Sequence, residues 1–356
     1  MLRKSKLARQ RNGHHGPSAA REGEDSYGAR LPKPYYTTGH GAAYVGDSRV
    51  LMECLPDNSI DLIMTSPPFA LKRKKDYGNV EDEAYLAWFR PFAVQFARIL
   101  KPAGSLVIDI GGTWVRGYPT RSLYHFELLI MLCREFGLHL AQDFYWYNPA
   151  RLPSPAEWVT VRRLRVKDAV DPVWWLSKTP NPKADNRRVL VEYSAAMRNL
   201  LAKGYKAQLR PSGHDISTKF KKDNNGAIPP NLISISNTES NSRYLTLCRQ
   251  AGLKPHPARY PRSLPEFFIK FLTDSEDAIV LDPFGGSNVT GEAAESLGRR
   301  WLSFELDESY LHASRFRFEG GVRPASKGLL GRTAKASSAP RKGRRARPSG
   351  QISWVE

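Results

Sequence analysis

The sequence predicts an α/β fold around a mostly parallel sheet, and three observations carry that prediction. Short apolar runs alternate with segments of helical period across residues 43–318. Two turn-forming motifs, Thr65-Ser66-Pro67-Pro68-Phe69 and Asp282-Pro283-Phe284-Gly285-Gly286-Ser287, each follow such a run. Hydrophobic residues make up 41% of the 356, enough for a sizeable core, and no apolar run nears the roughly 18 to 20 residues of a membrane span.

The strand at 43–45 ends at Gly46-Asp47-Ser48, where Ser48 is placed to cap a helix reaching residue 55. Residues 60–64 form a strand leading into Thr65. Leu86, Phe89, Ala93, Phe96 and Leu100 fall near helical spacing and predict a helix over 81–100, which Pro91 weakens or kinks. A strand at 105–110, a helix at 122–136 and strands at 141–147 and 173–177 follow. Residues 178–255 are rich in Asn, Ser, Gly, Lys and Arg with poor periodicity, and predict a loop-rich insertion. Regular elements then resume: helix 265–272, strand 278–281, helix 289–297, strand 301–304 and helix 308–318. No internal repeat is visible.

Residues 1–34 and 320–356 lack periodicity and cannot bury enough apolar surface to offset ordering, so both are expected to be disordered basic tails around a body at 35–319. Of the net charge of +19, the tails hold +5 and +8 and the body +6. This balance suits a polyanion partner; arms that are merely solvated are the plain alternative. Cys54, Cys133 and Cys248 lie far apart, which argues against a disulfide framework or a cysteine zinc site and for a reducing, cytoplasmic setting. No metal site is expected. The basic N-terminus lacks the apolar centre of a secretory signal. No Pro-Cys dipeptide occurs, so the familiar motif for covalent attack on a cytosine ring carbon is absent.

In doubly wound folds, ligands bind beyond the C-terminal ends of the strands, and both motifs fall there. Phe284-Gly285-Gly286-Ser287 makes a tight turn into a helix, and glycines let the backbone approach a ligand closely. It is neither the dinucleotide fingerprint nor a phosphate loop. Such a turn suits a nucleoside ligand without a pyrophosphate, such as S-adenosyl-L-methionine. Glu305, 23 residues after Asp282 at the end of the next strand, is placed to accept ribose hydroxyls, and Asp47 to line the adenine side. A turn that only packs a helix on a sheet is the alternative for this motif alone.

The two prolines of the first motif hold the chain extended and fix the carbonyl between them. The Pro67 carbonyl and the Ser66 hydroxyl are candidate acceptors for an exocyclic amine of a nucleobase, with Phe69 stacking on the ring. Acceptors aimed at the N–H bonds favour a pyramidal nitrogen whose lone pair points at an incoming methyl group. A deep pocket reaches a base only if the nucleotide leaves the duplex. Asp109, at a strand end, is a candidate to orient Ser66 or receive charge.

At these residues the chain resembles the DNA amino-methyltransferases, and among them those whose catalytic motif precedes the cofactor motif. The Thr-Ser-Pro-Pro form resembles that of the cytosine-N4 enzymes. Further likeness lies in residues 70–75, 143–146, 210–216 and 256–259, so that it covers roughly 43–319. The resemblance implies a Rossmann-like S-adenosylmethionine-dependent methyltransferase fold in circularly permuted order. Thr65, Asp282, Phe284, Gly285, Gly286 and Ser287 would join Asp47 and Glu305 around the cofactor, and Ser66, Pro67, Pro68, Phe69 and Asp109 would be catalytic. The region near 256–261 would close over the methionine end. Residues 178–255 would read the DNA, with Arg210, Ser212, His214, Lys219, Lys221 and Lys222 as candidate contacts; arginine and histidine can reach guanine edges, and lysines more often hold phosphates. Also implied are double-stranded DNA as partner, a type II modification role in a prokaryotic cell, CAGCTG as the site, and a cognate restriction endonuclease acting there without a required complex. The residues themselves leave adenine-N6 methylation, an RNA substrate and a catalytically silent DNA-binding domain open as alternatives.

Overall fold

The computed structural model describes residues 27, 30–70, 82–115, 117–204, 222–238 and 241–321. Among them, nine strands form one sheet in the order β1-β2-β9-β8-β3-β4-β6-β5-β7. The strands are β1 (Tyr36–Thr37), β2 (Gly41–Val45), β3 (Ile60–Thr65), β4 (Leu100–Asp109), β5 (His139–Tyr147), β6 (Val170–Ser177), β7 (Leu232–Ser234), β8 (Ile279–Asp282) and β9 (Arg300–Glu305). The central run from β2 to β4 is parallel throughout. β6 returns antiparallel on β4 and pairs with β5, giving the sheet a mixed edge.

Helices α1 (Ser48–Glu53), α2 (Asp82–Ile99) and α3 (Tyr124–Arg134) cover one face. Helices α6 (Ser263–Leu272) and α7 (Val289–Ser296) cover the other. The alternating direction of strand side chains distributes the core between the faces. Ile63, Ile279 and Leu281 join the first cluster, and Leu62, Met64 and Val280 the second. Buried on both faces, β3 and β8 read as nearly unbroken apolar runs. Gly41 is required by close approach, since a Cβ there would lie 2.2 Å from the Trp301 ring.

The predicted elements recur, and their differences have local causes. Asp47, not Ser48, is the N-cap of α1, with its carboxylate accepting from the Arg49 amide at 2.9 Å. Ser48 turns its hydroxyl to the Pro283 carbonyl. Helix α2 runs through Pro91, and β4 starts at Leu100, directly at its end. The last predicted helix divides into α8 (Glu308–Ser314) and a 3₁₀ turn, Arg315–Arg317.

The segment 178–255 is more regular than expected. It holds α4 (Ala195–Lys203), α5 (Ser242–Gln250) and β7, which pairs with β5 inside the main sheet. Trp146 ties this part down by donating its indole N–H to the Ile235 carbonyl at 2.9 Å. The ordered body also begins before residue 35. The Tyr27 hydroxyl donates to the Trp301 carbonyl at 3.2 Å, and Leu31 packs on the core. The rest of both predicted tails lies outside the described residues, as do Arg210, Ser212, His214, Lys219 and Lys221.

Candidate active site

The two motifs, 217 residues apart, meet because β3 and β8 are neighbours in parallel register, with Leu62 opposite Val280 and Ile63 opposite Leu281. Thr65 donates its hydroxyl to Asp282 Oδ1 at 2.8 Å across the strand ends. The second oxygen of Asp282 accepts from Thr290 at 2.6 Å and from Tyr260 at 3.2 Å. Thr65 and Asp282 are thus consumed in a buried knot. Thr65, expected to touch a cofactor, is fully buried and does not line the cavity; Asp282 reaches its wall.

That cavity measures about 1150 Å³ and opens beyond the strand ends. On its cofactor side, Gly286 adopts φ 51°, a left-handed conformation natural to glycine, and its N–H donates to Glu305 Oε2 at 2.7 Å. A Cβ on Gly285 would fall 2.1 Å from Ser303 Oγ. Burial raises the Glu305 carboxyl, against the amides of Asp307 and Gly286 that stabilise its charge. Asp47 lines the same end, with its pKa lowered by Arg49. Phe284 forms an aromatic wall with Phe92 and Trp88, at ring-centroid distances of 4.9 and 5.9 Å. Trp88 and Phe92 were not singled out from sequence; their spacing of four on α2 was the available signal.

Above the glycine turn, His256 donates Nδ1–H to the Ala258 carbonyl at 2.6 Å. Desolvation lowers its pKa to about 4, so the ring is neutral at neutral pH. Arg259 donates from Nη1 to the His256 carbonyl, while its Nε is buried without a partner among the described residues. A buried guanidinium N–H facing a cavity fits a carboxylate ligand.

On the opposite side, Tyr85 donates to the Pro68 carbonyl at 2.9 Å, so that carbonyl is engaged, while Pro67 lines the cavity. Phe69 lies where a Cβ on Gly111 would come within 2.6 Å of its ring. Asp109, at the end of β4, is 2% exposed, and its Oδ1 has no partner among the described residues. Burial and then the charge of Asp171 push its carboxyl well above the usual carboxylate range, while Ser66 as hydrogen-bonding neighbour and Arg151 act the other way. Arg151 grips Asp171 with two bonds of 2.9 and 2.8 Å. An acceptor without a donor beside Ser66 and Phe69 suits an amine-bearing planar ligand.

Ser287 faces the cavity, and its backbone and side chain are held from behind by Arg317. The buried Arg317 guanidinium also reaches Glu292 at 2.7 Å and Asn241 at 3.0 Å, and lies 4.5 Å from the Tyr244 ring centroid. It links the glycine turn to α5, whose Leu245 and Arg249 roof the cavity. Lys222 is exposed and does not line the cavity. Among the described residues no group of His, Cys, Asp or Glu could hold a metal ion.

A DNA methylase family model of N6/N4 methyltransferases matches residues 60–316, spanning both motifs and every strand from β3 to β9. The chain belongs to the N6/N4 DNA methylase family. It is 55% identical over 289 residues to the type II methyltransferase M.PvuII of Proteus hauseri, covering 80% of this chain and 86% of the relative. It is 24% identical to M.ScaI of Streptomyces caespitosus, covering 81% and 84%. The solved PvuII DNA methyltransferase, described as cytosine-N4-specific, superposes with a TM-score of 0.65 at 49% identity over 80% of this chain and 89% of that one. As a member of this family the protein is a DNA methyltransferase that takes its methyl group from S-adenosylmethionine. The Rossmann-like fold in permuted motif order follows from the strand order and this superposition.

Proposed function

We propose that this DNA methyltransferase transfers a methyl group to the exocyclic N4 amine of a cytosine flipped out of duplex DNA, as the modification enzyme of a type II restriction-modification system. The observation that carries the reading is the juxtaposition at the β3 and β8 strand ends. One cavity joins a carboxylate oxygen beside Ser-Pro-Pro-Phe to a glycine turn facing an arginine N–H, both without a partner among the described residues. High identity to a relative described as a type II methyltransferase, and to a structure described as cytosine-N4-specific, supports the choice of base.

The residues fit S-adenosylmethionine by their donors and acceptors. Glu305 would accept from the ribose hydroxyls, Phe284 and Asp47 would flank the adenine, and Arg259 would face the methionine carboxylate. Bound there, the cofactor supplies an electrophilic methyl group on a good leaving group. The protein's own residues orient the amine. The Pro67 carbonyl and the Ser66 hydroxyl accept its N–H bonds and Phe69 stacks on the ring. The methylated nitrogen loses its extra proton to the Ser66 hydroxyl as that hydroxyl passes its own proton to an ionised Asp109, which ends the step neutral. Closure of so deep a cavity around the base excludes water, and most of the rate enhancement comes from positioning.

Residues 178–255 would carry sequence readout, with the six candidate contacts named from sequence, and CAGCTG is the proposed site. A restriction endonuclease cutting the same site is the proposed companion, and the cytoplasmic nucleoid of a prokaryotic cell the proposed setting. Among the described residues no helix is long and apolar enough to cross a membrane.

Nucleoside mass spectrometry of duplex DNA incubated with the protein and S-adenosylmethionine tests the reading. N4-methylcytosine is expected. N6-methyladenine would keep the cavity assignments and overturn the choice of base, and no modified base on any duplex would overturn the reading.

A further inference from the structure

Between β5 and β6 lies a loop, residues 148–169, that sequence analysis left without a role. It departs from the usual division of a soluble surface. Leu152, Val161, Leu164 and Val166 are 77%, 68%, 58% and 85% exposed. Four exposed aliphatic residues within one loop suit a contact surface. The same loop carries Arg151, Arg162, Arg163, Arg165 and Lys167 against two acids, Glu157 and Asp168, the second of which pairs with Arg121 at 2.9 Å and Arg165 at 3.9 Å. Those apolar side chains are not loose ends of a floppy segment. Arg165 lies 4.1 Å from the Trp114 ring centroid and donates to the Pro119 carbonyl at 2.6 Å. The Leu164 amide donates to the Trp158 carbonyl at 2.8 Å, and Lys167 Nζ to the Arg151 carbonyl at 3.1 Å. The loop is pinned at several points while its aliphatic side chains point outward.

Its position supplies the partner. Arg151 and Leu152 both line the cavity that holds Asp109 and the Ser66–Phe69 motif. Arg151 is turned inward to Asp171, and Leu152, the next residue, projects at the mouth. Arg162 and Arg163 are exposed farther along. A basic loop beside a base-sized cavity, with an exposed leucine at the rim, fits the polyanionic backbone and stacked bases of duplex DNA better than a neutral protein surface.

We propose that loop 148–169 is a second DNA-contacting element outside the 178–255 reading region, in which Leu152 enters the space vacated by the flipped nucleotide while Arg162 and Arg163 hold adjacent phosphates. The proposal rests on the reading of the cavity as the site for a flipped base. Unstacking leaves a hole in the duplex, and an apolar side chain that fills it holds the base outside. The arginines contribute affinity without sequence information.

The test compares two substrates for the full chain: a duplex that the wild-type protein methylates, CAGCTG being tried first, and the same duplex with the target cytosine opposite an abasic site. For Leu152→Ala, kcat/KM should fall at least about tenfold on the paired duplex and match wild type on the abasic one, because there the base is already free to leave the stack. Being exposed, Leu152 can be replaced without loss of folding, which an unchanged melting temperature checks. The double variant Arg162→Ala/Arg163→Ala should reduce the slope of log affinity against log salt by about 2 on either duplex. Equal loss on both duplexes, or no loss on either, would overturn the role of Leu152. A salt slope that stays at the wild-type value would overturn the phosphate contacts. Conversion of a wild-type dimer to a monomer by Leu152→Ala, with DNA kinetics unchanged, would assign the surface to a second copy of the chain and overturn the proposal. Absence of N4-methylcytosine with the wild-type protein is a separate result, and overturns the underlying reading instead.

Discussion

Asp109 concentrates the conflict between stability and chemistry in this protein. Its carboxyl is buried beside Asp171, so ionisation is disfavoured in the folded state and its pKa is raised. The contribution of a raised carboxyl to folding is full below its unfolded pKa and is lost as pH rises through the folded value. Above the folded value the ionised carboxylate therefore costs stability. Asp109→Asn should raise the melting temperature by a few degrees while lowering kcat at least about 100-fold, and calorimetry with single-turnover methylation checks both. Because the acceptor must be ionised, the acid limb of the rate profile should lie above the usual carboxylate range near ~4. Asp171→Asn removes the neighbouring charge and frees Arg151, so that limb should move to lower pH. Arg151→Met should move it to higher pH. An unchanged limb in both variants would remove Asp109 from proton traffic. Ser66→Ala should lower kcat with little change in cofactor affinity, and full activity would remove that hydroxyl from the mechanism.

At the scale of elements, the site depends on contacts behind its lining. Gly111→Ala would push a methyl into the Phe69 ring, 2.6 Å from its nearest carbon; KM for DNA should rise while the S-adenosylmethionine Kd stays fixed. Arg317→Leu would leave Glu292 relying on Arg262 alone, at 3.3 Å, and should cost about 3 to 5 kcal/mol. It should also weaken cofactor binding, since Ser287 loses its tether; denaturant unfolding and titration calorimetry separate the two effects. Both motifs were legible in the sequence because prolines and glycines mark strand ends by their own backbone limits. The strands β3, β4, β8 and β9 were legible because burial on both faces writes them as apolar runs. Arg317 was not legible: a lone arginine near a basic tail gives no hint that it is 3% exposed among four acceptors. Nor was β7 legible, because three residues in a polar stretch become a strand only when β5 offers an edge. Asp109 was noted as a strand-end carboxylate, but its orphaned oxygen depends on tertiary packing that no local pattern encodes.

For the molecule as a whole, charge and order divide differently from composition. Tyr27 and Leu31 contact the body, so the basic arms to be removed in a test are taken to leave those two residues and the described Gly320 and Gly321 in place: 1–26 and 322–356, within the tails 1–34 and 320–356 read from sequence. Their deletion should flatten the salt dependence of DNA binding without moving the methylated site, measured by affinity at several salt concentrations and by mapping modified bases. A shifted site would give the arms a part in readout. In the mixed edge of the sheet, β4-β6-β5-β7, Asp109 at the end of β4 lies opposite Val173 of β6, and the loop 148–169 joins β5 to β6 at that same end. The proposed catalytic carboxylate on β4 and the proposed wedge on the β5–β6 connection are thus joined through β6, and strain at the DNA would be felt at the amine.

The pairing of β3 with β8 also sets when the enzyme comes to life. The ribosome releases Thr65 early, yet the strand that must lie beside it is made 217 residues later. Until then the growing chain has half a sheet, an open β3 flank and no glycine turn. Arg317, which locks that turn, is made later still. A nascent chain that stops before Arg317 is therefore inert, and methylation begins only once the whole span from β3 to the 3₁₀ turn has been made.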